Sequence, residues 1–104
     1  MTDNQKECGV TKTLKIIGSK WSMHILHNLC SEKKRFGELQ RLLHGISPKT
    51  LSFRLKELER EGLIKKTIFP VVPPHVEYEL TAKGSALKKI FNEMEKWGKE
   101  STSN

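Results

Sequence analysis

The stretch Gly45–Gly62, GISPKTLSFRLKELEREG, holds one helix with both of its ends marked. Ser47 supplies an N-cap oxygen for the first free amides. Pro48 suits the first helical position, where its missing N–H costs nothing. Gly62 stops the helix after Glu61. At about 100° per residue, Leu51, Leu55 and Leu58 fall within about 60° of one another and point inward. The opposite face carries Lys49, Phe53, Lys56 and Arg60, with Thr50, Ser52, Arg54 and Glu57 beside it. A helix that reads duplex DNA needs such a face. Short polar groups touch base edges, long cations reach phosphates, and the helix dipole favours the anionic backbone. Phe53 has two readings: an exposed ring that meets a thymine methyl, or a ring packed on a neighbouring element.

Outward from this helix the pattern stays consistent. Upstream, a short helix follows Phe36 with Leu39, Leu42 and Leu43 as its apolar face; Gly45 ends it and Ile46 plugs the corner. Helix, tight glycine turn and capped helix make a helix-turn-helix. Two further helices precede it. One spans about Val10 to Ile17 with Val10, Leu14 and Ile17 on a stripe, ended by a left-handed Gly18. The other spans about Lys20 to Cys30 after a Ser19 cap, with Ser22, Ile25, Leu26 and Leu29 inward. Downstream, Leu63–Phe69 and His75–Leu80 read as strands, the second alternating Val76, Tyr78 and Leu80 with His75, Glu77 and Glu79. PVVPP (70–74) between them cannot continue a ladder, which leaves a hairpin with a stiff tip, a wing. Thr81 caps a last helix, about Ala82 to Lys99. Its Leu87, Ile90, Met94 and Trp97 are spaced as in a coiled-coil seam, widened by Phe91. Such a seam either packs on the domain's own core or meets a second copy.

Composition sets the partner class. The chain has 104 residues, 36% of them hydrophobic, enough for one domain with a modest core. Its 19 basic and 12 acidic side chains give a net charge of +7, and Lys20 to Thr67 alone holds eleven basic against five acidic residues. The excess favours a polyanion, with the phosphate-facing surface in the middle of the chain. Lys33, Lys34 and Arg35 form either a solvated turn or a phosphate contact ahead of the helix-turn-helix. No apolar run is long enough to span a bilayer, and the polar start MTDNQKE is not a signal peptide, so a cytoplasmic protein with no membrane partner is expected. Residues 1–104 read as a single domain with an ordered core over about 8–98 and frayed ends. Cys30 lies on the core side of its helix as a small hydrophobe. His24 and His27, without a carboxylate or thiolate nearby in sequence, make an incomplete metal site; His44 sits at the corner. No metal or cofactor is expected. A phosphate-cradling glycine loop and a nucleophile–base pair are both missing, so an enzyme is not expected.

Five segments in order resemble the HxlR-type winged helix-turn-helix transcriptional regulators, relatives of the MarR group. They are GSKW (18–21), RFGEL (35–39), ISPKTL (46–51), RLKELEREGL (54–63) and PPHVEYELT (73–81), followed by Gly84 and Trp97. The resemblance implies a mainly α fold with a β-hairpin wing, and a homodimer joined through the N- and C-terminal helices. Val10, Leu14, Ile17, Leu87, Ile90, Phe91, Met94 and Trp97 would form that interface. It further implies a palindromic operator, with a reader helix in each of two successive major grooves and wings against adjacent phosphates. Cys8 takes the place of a cysteine with which some members of the family sense oxidants or electrophiles such as quinones; the plainer reading is an ordinary reduced thiol. Two positions depart from the family: His75 stands where a basic residue, often Arg, follows the double proline, and Gly9 stands where proline often follows the cysteine. The first points to a weaker or pH-dependent wing contact, and the second leaves the geometry around Cys8 open.

The expectation is therefore a homodimeric, sequence-specific transcriptional regulator on double-stranded DNA, with a small-molecule or oxidant effector. Ser47 and Pro48 open the reader helix; Lys49, Thr50, Ser52 and Phe53 face bases; Lys34, Arg35, Arg54, Lys56, Pro73 and His75 engage the backbone. The alternative is a winged-helix protein-interaction module within a larger transcription or repair assembly, which would want a more apolar outer face.

Overall fold

A computed structural model describes residues 8–102. The ends at 1–7 and 103–104, expected to fray, lie outside the described residues. In chain order the elements are α1 (Gly9–Ile17), α2 (Lys20–Leu29), β1 (Lys34–Arg35), α3 (Phe36–Leu42) and α4 (Pro48–Arg60). They are followed by β2 (Ile64–Phe69), β3 (His75–Leu80), α5 (Ala82–Ser85) and α6 (Leu87–Thr102). The fold is a winged helix-turn-helix.

Its core forms where the inward stripes meet. Ile25, Leu26 and Leu29 of α2 and Leu39 of α3 pack with Leu51, Leu55 and Leu58 of α4, closed by Ile64, Tyr78 and Phe91. Each such side chain contributes about 1.5–3 kcal/mol relative to exposure. Leu42, expected inward with Leu39 and Leu43, is instead exposed. At the α3–α4 corner Gly45 takes φ +92° and Ile46 is buried, so the chain turns sharply around an apolar plug. The Ser47 hydroxyl accepts the Thr50 amide at 3.1 Å, as its sequence position implies.

The far end of α4 is tied to two other parts of the chain. Gly62, at φ +77°, donates its amide to Glu59 O, and Leu63 donates to Leu58 O, each at 3.0 Å. These two bonds are a Schellman stop, and Leu58 and Leu63 are both buried beneath it. Thr81 then reaches back nineteen residues: its hydroxyl donates to Gly62 O at 2.6 Å and its amide to Leu63 O at 3.0 Å. Lys83 donates to Glu61 O at 2.9 Å. Gly84 lies against Leu63 O so closely that a Cβ would collide with it.

Further expectations change. SEKKR (31–35) is more than a turn: Lys34 and Arg35 pair with Tyr78 and Glu77, making a three-stranded antiparallel sheet of order β1–β3–β2. The last helix is not continuous. Its first turn, α5, is held on the end of α4 by Thr81 and Gly84, whereas Phe91 anchors α6 beside α2, its ring 5.9 Å from that of His27. The helix also continues past Lys99 to Thr102. Gly18, finally, is right-handed (φ −72°), so α1 ends by an ordinary turn, with the Gly18 amide donating to Leu14 O.

Two glycine substitutions should separate the constraint at Gly84 from plain helix propensity. Gly84→Ala should lower stability by about 1–3 kcal/mol, since the added methyl must push Leu63 away. Gly98→Ala, where a Cβ has open space, should raise it by up to about 1 kcal/mol. Urea unfolding of both variants checks this; equal signs would contradict the packing described.

Candidate nucleic-acid interface

One surface joins the outer face of α4, the start of α3 and the wing. On α4, Lys49, Ser52, Phe53, Lys56 and Arg60 are exposed, while Thr50 and Arg54 are half-buried. Phe53 is 54% exposed, so its ring is not packed on the wing or on another helix. The Arg54 guanidinium lies 5.4 Å from the centre of that ring, a cation–π distance. Arg54 is also held by its own helix, donating from Nη1 to Glu57 at 2.9 Å. Its reach toward a phosphate is therefore shorter than its sequence position implies. The Thr50 hydroxyl is engaged by Ser47 at 3.0 Å, which turns the first polar groups of the helix into a linked pair beside Pro48.

The cations ahead of the helix-turn-helix divide by role. Lys34 folds back on Ser31 and Glu32, leaving its side chain 12% exposed. Arg35 remains exposed, its amide donating to the Glu38 carboxylate at 2.8 Å to start α3. On this flank Arg35 rather than Lys34 is the cation available to a backbone. Lys33 crosses to the sheet and pairs with Glu77 at 3.1 Å.

The wing is apolar and exposed at its tip and polar at its base. Val71, Val72, Pro73 and Pro74 are exposed, and the Val72–Pro73 bond is cis. His75 stacks on Phe69 with centroids 4.7 Å apart, and its Nε2 lies 3.2 Å from Glu77. Glu77 thus serves both His75 and Lys33, and the Lys33 bond holds its carboxyl below the ordinary range, with His75 adding to the effect. Tethered in this way, His75 is half-buried rather than held out toward a phosphate. Two cations with no role assigned from sequence, Lys65 and Lys66, are exposed on β2, a strand of the wing. Their signal was present only as part of the net charge of the middle segment.

The remaining sequence candidates sit away from this surface. Val10 and Leu14 on α1, and Ile90, Met94 and Trp97 on α6, are exposed, with Trp97 at 71%. Ile17 and Phe91, expected on the same seam, are buried in the protomer's own core, and Leu87 packs against that core. Cys30 is a half-buried free thiol, pushed up by burial against the opposing charge of Lys88. Cys8 is exposed and caps α1. The Thr11 hydroxyl lies 3.2 Å from its sulfur and the Thr11 amide donates to it at 3.4 Å, which holds the thiol below the ordinary cysteine range. Among the described residues no group of three His, Cys, Asp or Glu is placed to hold a metal, and no helix is long and apolar enough to cross a membrane.

A family model described as HxlR-like helix-turn-helix matches residues 16–104. The chain belongs to the HxlR-like helix-turn-helix family. The regulatory protein MalR of Fusobacterium mortiferum is 46% identical over 98 residues, 93% of this chain and 92% of its own length. A MarR-family transcriptional regulator from Porphyromonas gingivalis W83 has the same fold, with TM-score 0.87 at 41% identity over 96% of this chain and 98% of its own. The redox regulator HypR in its reduced form matches with TM-score 0.87 at 35% identity, over 92% of this chain and 95% of its own. This member of the family is a DNA-binding transcriptional regulator of the winged helix-turn-helix type, and the relatives named are described as regulators.

The two thiols should be separable by pH. A lowered pKa keeps Cys8 ionised at lower pH, whereas the raised one keeps Cys30 protonated until higher pH. With iodoacetamide, the Cys8 alkylation rate should therefore rise at lower pH than that of Cys30, and Thr11→Val should move the Cys8 profile upward. Peptide mass spectrometry across a pH series checks this; coincident profiles would contradict the cap geometry.

Proposed function

We propose that this family member acts as a homodimer on a palindromic operator, with α4 of each copy in one of two successive major grooves. The observation that carries the reading is the outer face of α4. A solvent-exposed Phe53 stands among Lys49, Ser52, Lys56 and Arg60, directly opposite the three buried leucines. An exposed aromatic surrounded by cations suits a major groove, where it meets thymine methyls while the cations neutralise phosphates. Arg35 and Pro73 of the wing tip lie against the flanking backbone, with Lys34 contributing through the local field; His75, held by Phe69 and Glu77, is given no phosphate contact.

Dimerisation is supported by an apolar seam that the protomer leaves uncovered. Val10 and Leu14 of α1 and Ile90, Met94 and Trp97 of α6 would meet the second copy, with Ile17, Leu87 and Phe91 supporting the seam from beneath. Cys8 serves as the responsive group in this reading. It is accessible, its thiolate is favoured by Thr11, and it caps α1, a helix of the seam, so a quinone adduct or oxidation there would disturb the contact between copies. HypR, a relative described as a redox regulator, lends this support.

The test is a binding titration on a fragment selected from genomic DNA and on random DNA, across salt concentrations. Lys49→Ala and Phe53→Ala should each lower the ratio of the two affinities by about tenfold or more. Arg35→Ala should weaken both affinities alike and reduce the salt slope by about one. If all three act equally on both DNAs, the assigned roles fail. If the parent chain binds neither DNA at physiological salt, the protein-docking alternative is favoured.

A further inference from the structure

Arg54 is set apart from the other cations on the outer side of α4. Lys49, Lys56 and Arg60 are exposed and make no ion pair among the described residues. Arg54 donates from Nη1 to the Glu57 carboxylate at 2.9 Å, three residues on along the same helix. Its guanidinium carbon lies 5.4 Å from the centre of the Phe53 ring, and its side chain is only 31% exposed. The Nε atom is closed off from solvent and has no hydrogen-bond partner among the described residues. Arginine carries five N–H donors in a planar fork. Here one is spent on a carboxylate and another is enclosed, so less of the fork is left for a phosphate.

Glu57 is the unexpected member of this group. It is a carboxylate on the very helix that faces a polyanion, and its side chain is 39% exposed. Unpaired, it would repel phosphates lying within a Debye length, about 8–10 Å at ordinary salt. Helix formation does not call for it, since glutamine has nearly the same propensity. An ion pair this exposed also adds little to the fold beside Leu51, Leu55 and Leu58, each 2% exposed or less. The larger consequence lies with Arg54. A guanidinium neutralised by its own helix contributes little to the field that draws any duplex regardless of sequence. The same bond keeps it beside Phe53, which gives an exposed ring a fixed neighbour.

We propose that Glu57 is a positioning residue for DNA discrimination: it withholds Arg54 from the phosphates of random sequence and keeps it against Phe53 for base reading. Sequence-independent binding scales with the number of phosphates neutralised, so each cation withheld lowers it. Base contacts by Lys49 and Phe53 are not weakened by the withholding, and the ratio of operator to random affinity rises. Discrimination thus gains from a bond within α4 that itself touches no DNA. The effect on that ratio rests on the reading of α4 as the reader helix; the restraint on Arg54 stands without it.

Two variants with the same change of charge separate this from a general field effect. Glu57→Gln removes the carboxylate that holds Arg54, whereas Glu61→Gln removes an exposed one a turn further along the chain. With melting profiles matched to the parent, each is titrated across salt against the selected genomic fragment and random DNA. Glu57→Gln should tighten binding to random DNA about threefold or more beyond Glu61→Gln, and steepen the salt slope by about one per copy. Its affinity for the selected fragment should rise less or fall, so the ratio drops. In an Arg54→Ala background, Glu57→Gln should do no more than Glu61→Gln. Without DNA, NMR of labelled arginine should show an Arg54 Nε–H that exchanges slowly in the parent and faster in Glu57→Gln. Equal effects of the two glutamine variants, an effect that survives Arg54→Ala, or unaltered Nε–H exchange overturns the proposal. If the parent prefers neither DNA while the Nε–H responds as expected, the operator reading fails instead; the discrimination role falls with it, and the restraint on Arg54 holds.

Discussion

The geometry of this protein depends on how α4 ends. A helix leaves its last carbonyls without partners, and here they are satisfied by two different parts of the chain. The Schellman bonds at Gly62 and Leu63 stop the helix locally. Thr81 and Lys83, which follow the hairpin, then bond to the carbonyls of Gly62, Leu63 and Glu61. Both ends of the wing are thereby tied to one corner, and the absence of a side chain at Gly84 lets them approach. The angle between reader helix and wing is set by these hydrogen bonds to backbone carbonyls, from the Thr81 amide and hydroxyl and the Lys83 ammonium. A DNA-binding surface made of long, mobile cations gains its geometry from that rigid frame.

On this frame the surface divides by electrostatics. Cations that bond inward stabilise the fold: Lys33 with Glu77, Lys34 with Ser31 and Glu32, Arg54 with Glu57. Cations on the outer face of α4 and on β2 remain exposed and supply the field that draws a polyanion. Glu77 is the pivot at the sheet. By holding Lys33 and His75 together it joins the loop before α3 to the base of the wing, so the two flanks of α4 are coupled through one carboxylate. Because its folded-state pKa is lowered, this coupling is present at neutral pH and is lost only as pH falls through that lowered value.

Much of this was legible in the sequence, for physical reasons that can be named. The bounds of α4 follow from a cap, a proline and a glycine that act within one turn, and its buried face from three leucines at helical spacing. The hairpin follows from alternation and from prolines that cannot pair. What was not legible depends on residues far apart in the chain. A two-residue strand such as β1 has no period to detect; it exists because β3 offers an open edge. Lys34 looked like a free cation because its partners lie in the fold of the turn. His75 looked like a substitute for arginine, but its ring is taken up by Phe69 and Glu77. Ile17 and Phe91 share a sequence stripe with Leu14 and Ile90, yet the approach of α2 to both terminal helices draws them into the core. The groove between α2 and α6, lined by Met23, Phe91 and Met94, likewise joins residues far apart in the chain and has no linear signature.

The central claim is that two copies of the α4 face, held by the Gly62–Thr81 corner, read DNA together. Hydroxyl-radical footprinting on a fragment selected from genomic DNA measures this most directly. The account predicts two symmetry-related protected patches whose centres lie about one helical turn, or 10–10.5 base pairs, apart. A single unpaired patch, or protection that slides along the fragment without a fixed centre, would contradict it.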